Sequence, residues 1–281
     1  MDAKRFNEIT GRYGGLRAVV AGDFCLDRYF HIDPAIEEIS LETDLPAHQV
    51  ERVRNQAGGA GNVLWNVADL GAAKVSAVGA IGDDGEGHEL RPVLEGLGAD
   101  VAGLISAVGR MTITFVKPTI YRPGEPPEEM SRLDLRDRTP TPPEVLGAVA
   151  DNLRRAAVAA DVVLLMEQVT EVERGVLAGP VRRAIAEAAA ERPETVFLAD
   201  SRCEPSTFEN VSVKVNRSEL AAAAGEGPPE RAAAAWAERL GRPVFVTMGP
   251  EGMLAAEPDG RVHREPGRRV KGPLDIVGAG D

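Results

Sequence analysis

The run Asp275-Ile276-Val277-Gly278-Ala279-Gly280-Asp281 sets a glycine-rich turn directly before a carboxylate. Phosphoryl transfer needs hydrogen-bond donors at the equatorial oxygens of the migrating group and a carboxylate to receive the proton of the attacking hydroxyl. The backbone of Gly278, Ala279 and Gly280 supplies the first part and Asp281 the second; a plain Gly-rich turn is the competing reading. Gly58-Gly59-Ala60-Gly61-Asn62 precedes a helical pattern, so its backbone can approach a sugar or phosphate closely at a positive helix end. A flexible loop leading into an N-capped helix explains the same residues. Asn216-Arg217-Ser218-Glu219 puts an amide and a carboxylate three residues apart, suited to holding hydrated Mg²⁺ through water. It is also the spacing of a capping box, which needs no ligand. Thr247-Met248-Gly249-Pro250-Glu251-Gly252 offers a nest of N–H groups for a di- or triphosphate, or a simple β-turn. Arg132 and Asp134 lie two apart on a predicted strand and share a face, where they read a charged or polyhydroxylated substrate or form a surface ion pair.

Serving one site requires that these motifs sit at strand ends. Short apolar, β-branched runs at 16–21, 75–78, 162–166, 195–199, 211–215 and 244–248 predict buried strands. Helical patterns at 62–70, 86–97, 144–159, 172–190 and 229–240 separate most of them. This alternation predicts an α/β fold with a doubly wound, mostly parallel sheet. Segments 31–53 and 112–134 break the pattern and carry Pro46, Pro118, Pro123, Pro126 and Pro127. They are expected to form a small β excursion that covers the sheet's carboxyl edge, where ligands bind in open α/β folds; a pair of surface loops is the rival.

Composition narrows the partners. Lys and Arg total 32 against 44 Asp and Glu, a formal charge of −12 that repels nucleic acid and anionic lipid. Only Lys4, Lys74, Lys117, Lys214 and Lys271 are lysines, and the arginines form no stripe in the sequence. The apolar run at 162–166 is far too short to cross a bilayer, and the first twelve residues show no secretory pattern, so a cytoplasmic address is expected. Cys25 and Cys203 are far apart, and His31, His48, His88 and His263 show no i, i+4 spacing, so neither a disulfide framework nor a zinc site is expected. The glycines of 79–87 do not fit G-x-G-x-x-G, and there is no P-loop lysine motif.

In order, G-D-F-C-L-D-R-Y (22–29), G-G-A-G-N (58–62), N-R-S-E (216–219), T-M-G-P-E-G (247–252) and D-I-V-G-A-G-D (275–281) resemble the ribokinase-like (PfkB) carbohydrate kinases. L-D-R-Y-F and S-R-L-D-L (131–135) resemble the heptose-7-phosphate kinase branch. The resemblance implies one Rossmann-like kinase domain over 1–281 with a small β-sheet lid. It implies ATP- and Mg²⁺-dependent phosphorylation of a sugar or sugar-phosphate hydroxyl, with a monovalent cation such as K⁺ as a further candidate cofactor. By the same resemblance Asp27, Gly58, Gly59 and Asn62 bind sugar hydroxyls, and Asn216 and Glu219 organise Mg²⁺ and phosphates, with Asp275 a second candidate ligand. Thr247, Gly249 and Gly252 contact ATP; Gly278, Ala279 and Gly280 form the anion hole, and Asp281 is the base.

The chain departs from that branch at Met166-Glu167-Gln168, Arg174-Gly175 and Asp200-Ser201-Arg202, where Ser-Asp-Tyr, Lys-Gly and Asp-Pro-Lys are usual, and segment 38–46 matches only in part. In the family a helix follows the catalytic aspartate, so the resemblance implies that these 281 residues are a fragment or a degenerate copy with weak or no turnover. A nucleoside kinase is the nearest rival within enzymes, and a non-catalytic sugar-binding protein on the kinase fold is the rival outside them; a redox Rossmann enzyme is remote. An uncovered edge of the lid offers a route to a homodimer.

Overall fold

The computed structural model describes residues 2–268. Its strands are β1 (Arg17–Gly22), β2 (Phe24–Ile32), β3 (Glu38–Ile39), β4 (Pro46–Ala47), β5 (Val50–Gly59), β6 (Lys74–Gly82), β7 (Asp100–Ala107), β8 (Thr114–Ile120), β9 (Glu128–Glu129), β10 (Leu133–Leu135), β11 (Val162–Glu167), β12 (Val196–Ser201), β13 (Ser212–Asn216), β14 (Val244–Thr247), β15 (Met253–Ala256) and β16 (Val262–Glu265). Its helices are α1 (Ala3–Thr10), α2 (Ala60–Asp69), α3 (Gly85–Gly96), α4 (Pro143–Ala157), α5 (Gly179–Glu191), α6 (Arg217–Ala224) and α7 (Pro229–Leu240).

Among the described residues the main sheet has nine strands in the order β16-β15-β14-β13-β12-β11-β1-β6-β7. It is parallel from β7 to β14, and β15 and β16 add an antiparallel edge. The interior strand β1 shows why. Its side chains alternate between two apolar layers, Val19 and Ala21 facing α4, α5 and α7, and Ala18 and Val20 facing α2 and α3. A strand buried on both faces needs a continuous apolar run, which Ala18-Val19-Val20-Ala21 provides. In α4, Leu146, Val149, Ala150 and Leu153 recur at helical spacing and are buried against the sheet. The fold is therefore α/β, with a mostly parallel sheet wound on both faces.

A second sheet pairs β10-β8-β2-β5, with β9 beside β8, and β3 and β4 form a separate short hairpin. Its strands extend beyond the expected 31–53 and 112–134, because β2 leaves β1 across Asp23 alone and β5 runs to the very start of α2. Phe24 pairs with Gly59 and Cys25 with Gly58, so two of the sequence motifs lie on strands of this sheet. The helix expected over 172–190 begins only at Gly179. Hydrogen bonds from Thr141 N–H to the Glu173 carbonyl and from Val176 N–H to Asp23 hold the preceding segment in a loop.

Candidate functional site

Because the strands run parallel, β1, β11, β12, β13 and β14 all end at one edge, with Gly22 beside Met166, Glu167 beside Ser201 and Asn216 beside Thr247. At this edge Asp23 fastens the crossing between the two sheets. Its Oδ2 accepts from the N–H groups of Gln168 (2.9 Å) and Val169 (3.0 Å), and its Oδ1 from Val176 N–H (2.9 Å). Burial pushes this carboxyl up, while the three N–H donors favour its charge. Gly59 is positioned by the same residue: it adopts φ +56°, and a Cβ there would lie 2.5 Å from the Asp23 carbonyl oxygen.

Below the small sheet lies a cavity of about 330 Å³, walled by Asp27, Gly58, Gly59, Asn62 and Arg132, all named by the sequence motifs. Lys117, Phe115, Gln168 and Arg202 also line the wall. Sequence reasoning missed Lys117, which the pairing of β8 with β2 brings next to Tyr29. Its Nζ lies 3.0 Å from Asp27 Oδ2 and 3.2 Å from Tyr29 Oη, and only 7 % of the residue is exposed. Burial opposes the ammonium charge, but Asp27 and Tyr29 outweigh it and hold the pKa above its ordinary value. A lysine inside the strand-like run T-F-V-K-P-T-I was the available signal, because a buried charge is kept only when paired. Arg132 stacks over Phe115 at 4.6 Å and donates to both oxygens of Asp134 at 2.6 and 2.9 Å. Asp134 thus holds Arg132 against the cavity as the ion pair.

Behind the cavity, Glu167 is buried and accepts from Arg182 and from the Ser201 hydroxyl, and its carbonyl accepts from Arg202 N–H at 3.0 Å. Burial pushes the Glu167 carboxyl up against those two donors. This contact ties β11 to β12 and sets the start of Arg202, so the Met166-Glu167-Gln168 and Asp200-Ser201-Arg202 departures interlock.

The neighbouring strand ends carry the other motifs. Asn216 Oδ1 accepts from Glu219 N–H at 2.9 Å, and Glu219 Oε2 accepts from Asn216 N–H at 2.7 Å, which is a complete capping box. Gly249 and Gly252 adopt φ +59° and +98° after Thr247. A Cβ on Gly252 would come within 2.1 Å of the Glu265 carbonyl oxygen, so the turn must be glycine to pack against the segment after β16. Within the turn Met248 N–H donates to the Gly252 carbonyl, Glu251 N–H to the Met248 carbonyl and Gly252 N–H to the Gly249 carbonyl, so the loop is closed by its own backbone hydrogen bonds. Among the described residues no group of three His, Cys, Asp or Glu side chains is placed to hold a metal ion. Asp275, Gly278, Ala279, Gly280 and Asp281 lie outside the described residues. No helix among the described residues is long and apolar enough to cross a membrane.

Comparison with known proteins sets these motifs in a wider context. The model of the pfkB family carbohydrate kinases matches residues 27–117 and 186–281, more than half of the chain. The bifunctional protein HldE of Caulobacter sp. is 32% identical over 280 residues, covering 96% of this chain and 54% of that protein. The HldE protein of Mesorhizobium japonicum is 27% identical over 277 residues, covering 96% and 53%. The chain spans about half the length of the curated relatives it matches. Among solved structures, phosphofructokinase-2 from Escherichia coli in complex with fructose-6-phosphate superposes with a TM-score of 0.65 at 17% identity, over 94% of this chain and 85% of that one. Arabidopsis thaliana ribokinase complexed with ribose and ATP gives 0.57 at 18%, over 90% and 78%. These structural likenesses establish a ribokinase-like fold. With the motifs in family order and the family's model matched on both sides of the chain, the protein belongs to the pfkB family of carbohydrate kinases.

Proposed function

We propose that this chain carries the kinase module of an enzyme that transfers a phosphoryl group from ATP to a hydroxyl of a sugar or sugar phosphate, with a heptose 7-phosphate as the leading acceptor. The observation that carries this reading is the acceptor cavity, where the Gly58-Gly59 backbone and Asn62 meet the buried Asp27–Lys117 pair beneath the small sheet. A carboxylate and an ammonium held 3.0 Å apart suit adjacent sugar hydroxyls, one accepting and one donating. Arg132 and Arg202 on the same wall favour an acceptor that carries negative charge. The turn at Thr247, Gly249 and Gly252 is assigned to the nucleotide phosphates, and Asn216 and Glu219 to the approach of Mg²⁺ through water, with Asp275 as a further ligand.

ATP supplies the phosphoryl group. Asp281 is assigned as the base that receives the acceptor's proton, and Gly278, Ala279 and Gly280 as the donors to the migrating group. Most of the acceleration in such a reaction comes from positioning and charge neutralisation, so an ordinary aspartate suffices. The test is substrate-dependent ADP release across hexoses, pentoses, nucleosides and heptose 7-phosphate, by this chain and by one extended to the length of its relatives. Release with heptose 7-phosphate supports the reading, and release with nucleosides alone replaces the acceptor class. Sugar binding without release from either chain points instead to a non-catalytic sugar-binding protein. A homodimer formed through the small sheet is part of the same proposal.

A further inference from the structure

Four arginines gather where the small sheet returns to the main domain: Arg110, Arg136, Arg138 and Arg174. Arg110 is committed to structure, with Nε 3.4 Å from Asp137 and its other nitrogens donating to the carbonyls of Pro140 and Arg174. The other three converge on one carboxylate. Arg136 lies 3.8 Å from Glu171 Oε2, and Arg138 and Arg174 lie 3.8 and 3.6 Å from Oε1. All three distances exceed ordinary hydrogen-bond length, so the glutamate balances charge without engaging the guanidinium forks. The set of three arginines and one glutamate carries a local excess of two positive charges in a chain whose net charge is −12.

One further observation singles this cluster out. Arg136 Nε is the buried side-chain nitrogen that has no hydrogen-bond partner among the described residues. A buried donor left unmade is costly and calls for an acceptor that the protein itself does not supply. Arg174 and Glu171 are about one-third exposed, so the cluster is open to a small solute. It is also continuous with the acceptor cavity through the chain, since Gln168 and Arg132 line that cavity and precede Glu171 and Arg136 by one short step each.

We infer that Arg136, Arg138 and Arg174 form a binding site for a phosphate monoester, with Glu171 as the internal counter-ion that the ligand displaces. A phosphate dianion matches the excess of two charges, and its oxygens accept from several guanidinium forks at once, Arg136 Nε included. The inference does not depend on phosphoryl transfer, because binding alone tests it.

The test is calorimetric titration of the full chain with inorganic phosphate. In the Arg136→Gln/Arg174→Gln double variant the affinity falls about tenfold or more, as expected for loss of charge-assisted bonds. In Glu171→Gln, which removes the internal competitor, phosphate binds more tightly than in the wild type. A purely structural ion network predicts the opposite for Glu171→Gln, namely a less stable chain with no gain in phosphate affinity. Equal affinity in the wild type and the double variant, no phosphate binding by the wild type, or no tightening in Glu171→Gln would each overturn the site. Should the double variant fail to fold, the sign of the Glu171→Gln effect decides. A parallel titration with a sugar phosphate separates two sources of the ligand. If Asp27→Asn weakens the sugar phosphate and spares inorganic phosphate, the cluster reads a phosphate on the acceptor; if it weakens neither, the cluster serves a separate phosphorylated effector. Phosphate binding here in a chain that releases no ADP even when extended to the length of its relatives would sink the transfer reading and leave this site standing.

Discussion

Lys117 sets the charge balance of the cavity beneath the small sheet, because the Asp27 carboxylate beside it is only about one-fifth exposed and pairs with this ammonium. Lys117→Met would leave that carboxylate without its partner, at a cost of about 3 kcal/mol in stability, read by urea denaturation. The conservative Lys117→Arg keeps the charge but not the compact single-point contact, so it should restore stability more than acceptor affinity. Because the folded pKa of Lys117 is raised, the pair's contribution is fully present below the lysine's ordinary value and is lost only as pH rises through the folded one. The stability gap between wild type and Lys117→Met should therefore stay level across neutral pH and close only in strong alkali; a gap that closes near neutrality would reject the pairing. At this scale the sequence was legible wherever glycine or a motif marked the position, as at Asp27, Gly58, Gly59, Asn62 and Arg132. Lys117, Gln168 and Arg202 reach the same cavity through strand pairing, which local spacing does not encode.

Two tethers between elements can be tested separately. Asp23 is the single side chain that binds three N–H groups of the segment after β11, and Asp23→Ala would leave those donors buried and unmet. A loss of about 3 kcal/mol is expected, with faster amide exchange at Gln168, Val169 and Val176. Exchange unchanged at those three amides would show that the clamp does not hold the loop. At the opposite edge, Arg17 binds both oxygens of Asp161 at 3.0 and 3.1 Å and joins the starts of β1 and β11. Its guanidinium and backbone N–H hold the Asp161 pKa down to about 2. The stabilisation is therefore present above the ordinary aspartate pKa and is lost as pH falls through the folded value. Melting temperatures of wild type and Asp161→Asn should differ at pH 5 and converge on approach to about pH 2. The elements themselves were legible where burial on two faces demanded continuous apolar runs, as in β1 and β11. The segment before α5 was misread as helix because Glu173, Arg174, Leu177 and Ala178 favour one and the run leads straight into the alanine-rich α5, while Asp23 and Thr141, both distant in sequence, hold it as a loop.

For the whole molecule, the main sheet has helices on both faces, whereas the small sheet leaves apolar side chains to solvent. Ile36, Ile39, Leu41, Leu45, Val50 and Val53 are each more than two-fifths exposed, and Leu41 is 99 % exposed. They all fall within the segment leading into and along β5, the edge strand of that sheet. A concentration of apolar residues beside an unpaired strand edge is costly to leave in water and is relieved by a partner that covers both at once. A second copy of the same chain is the partner that the proposal names, with each small sheet covering the other. Sedimentation velocity should then show a dimer that dissociates on dilution, and Leu41→Asp/Leu45→Asp should shift it to monomer. Neither Leu41 nor Leu45 belongs to the arginine cluster, so phosphate affinity should not move with the change in mass. Monomer mass at every concentration up to the solubility limit would remove the small sheet as an interface, and those six side chains would then need another explanation.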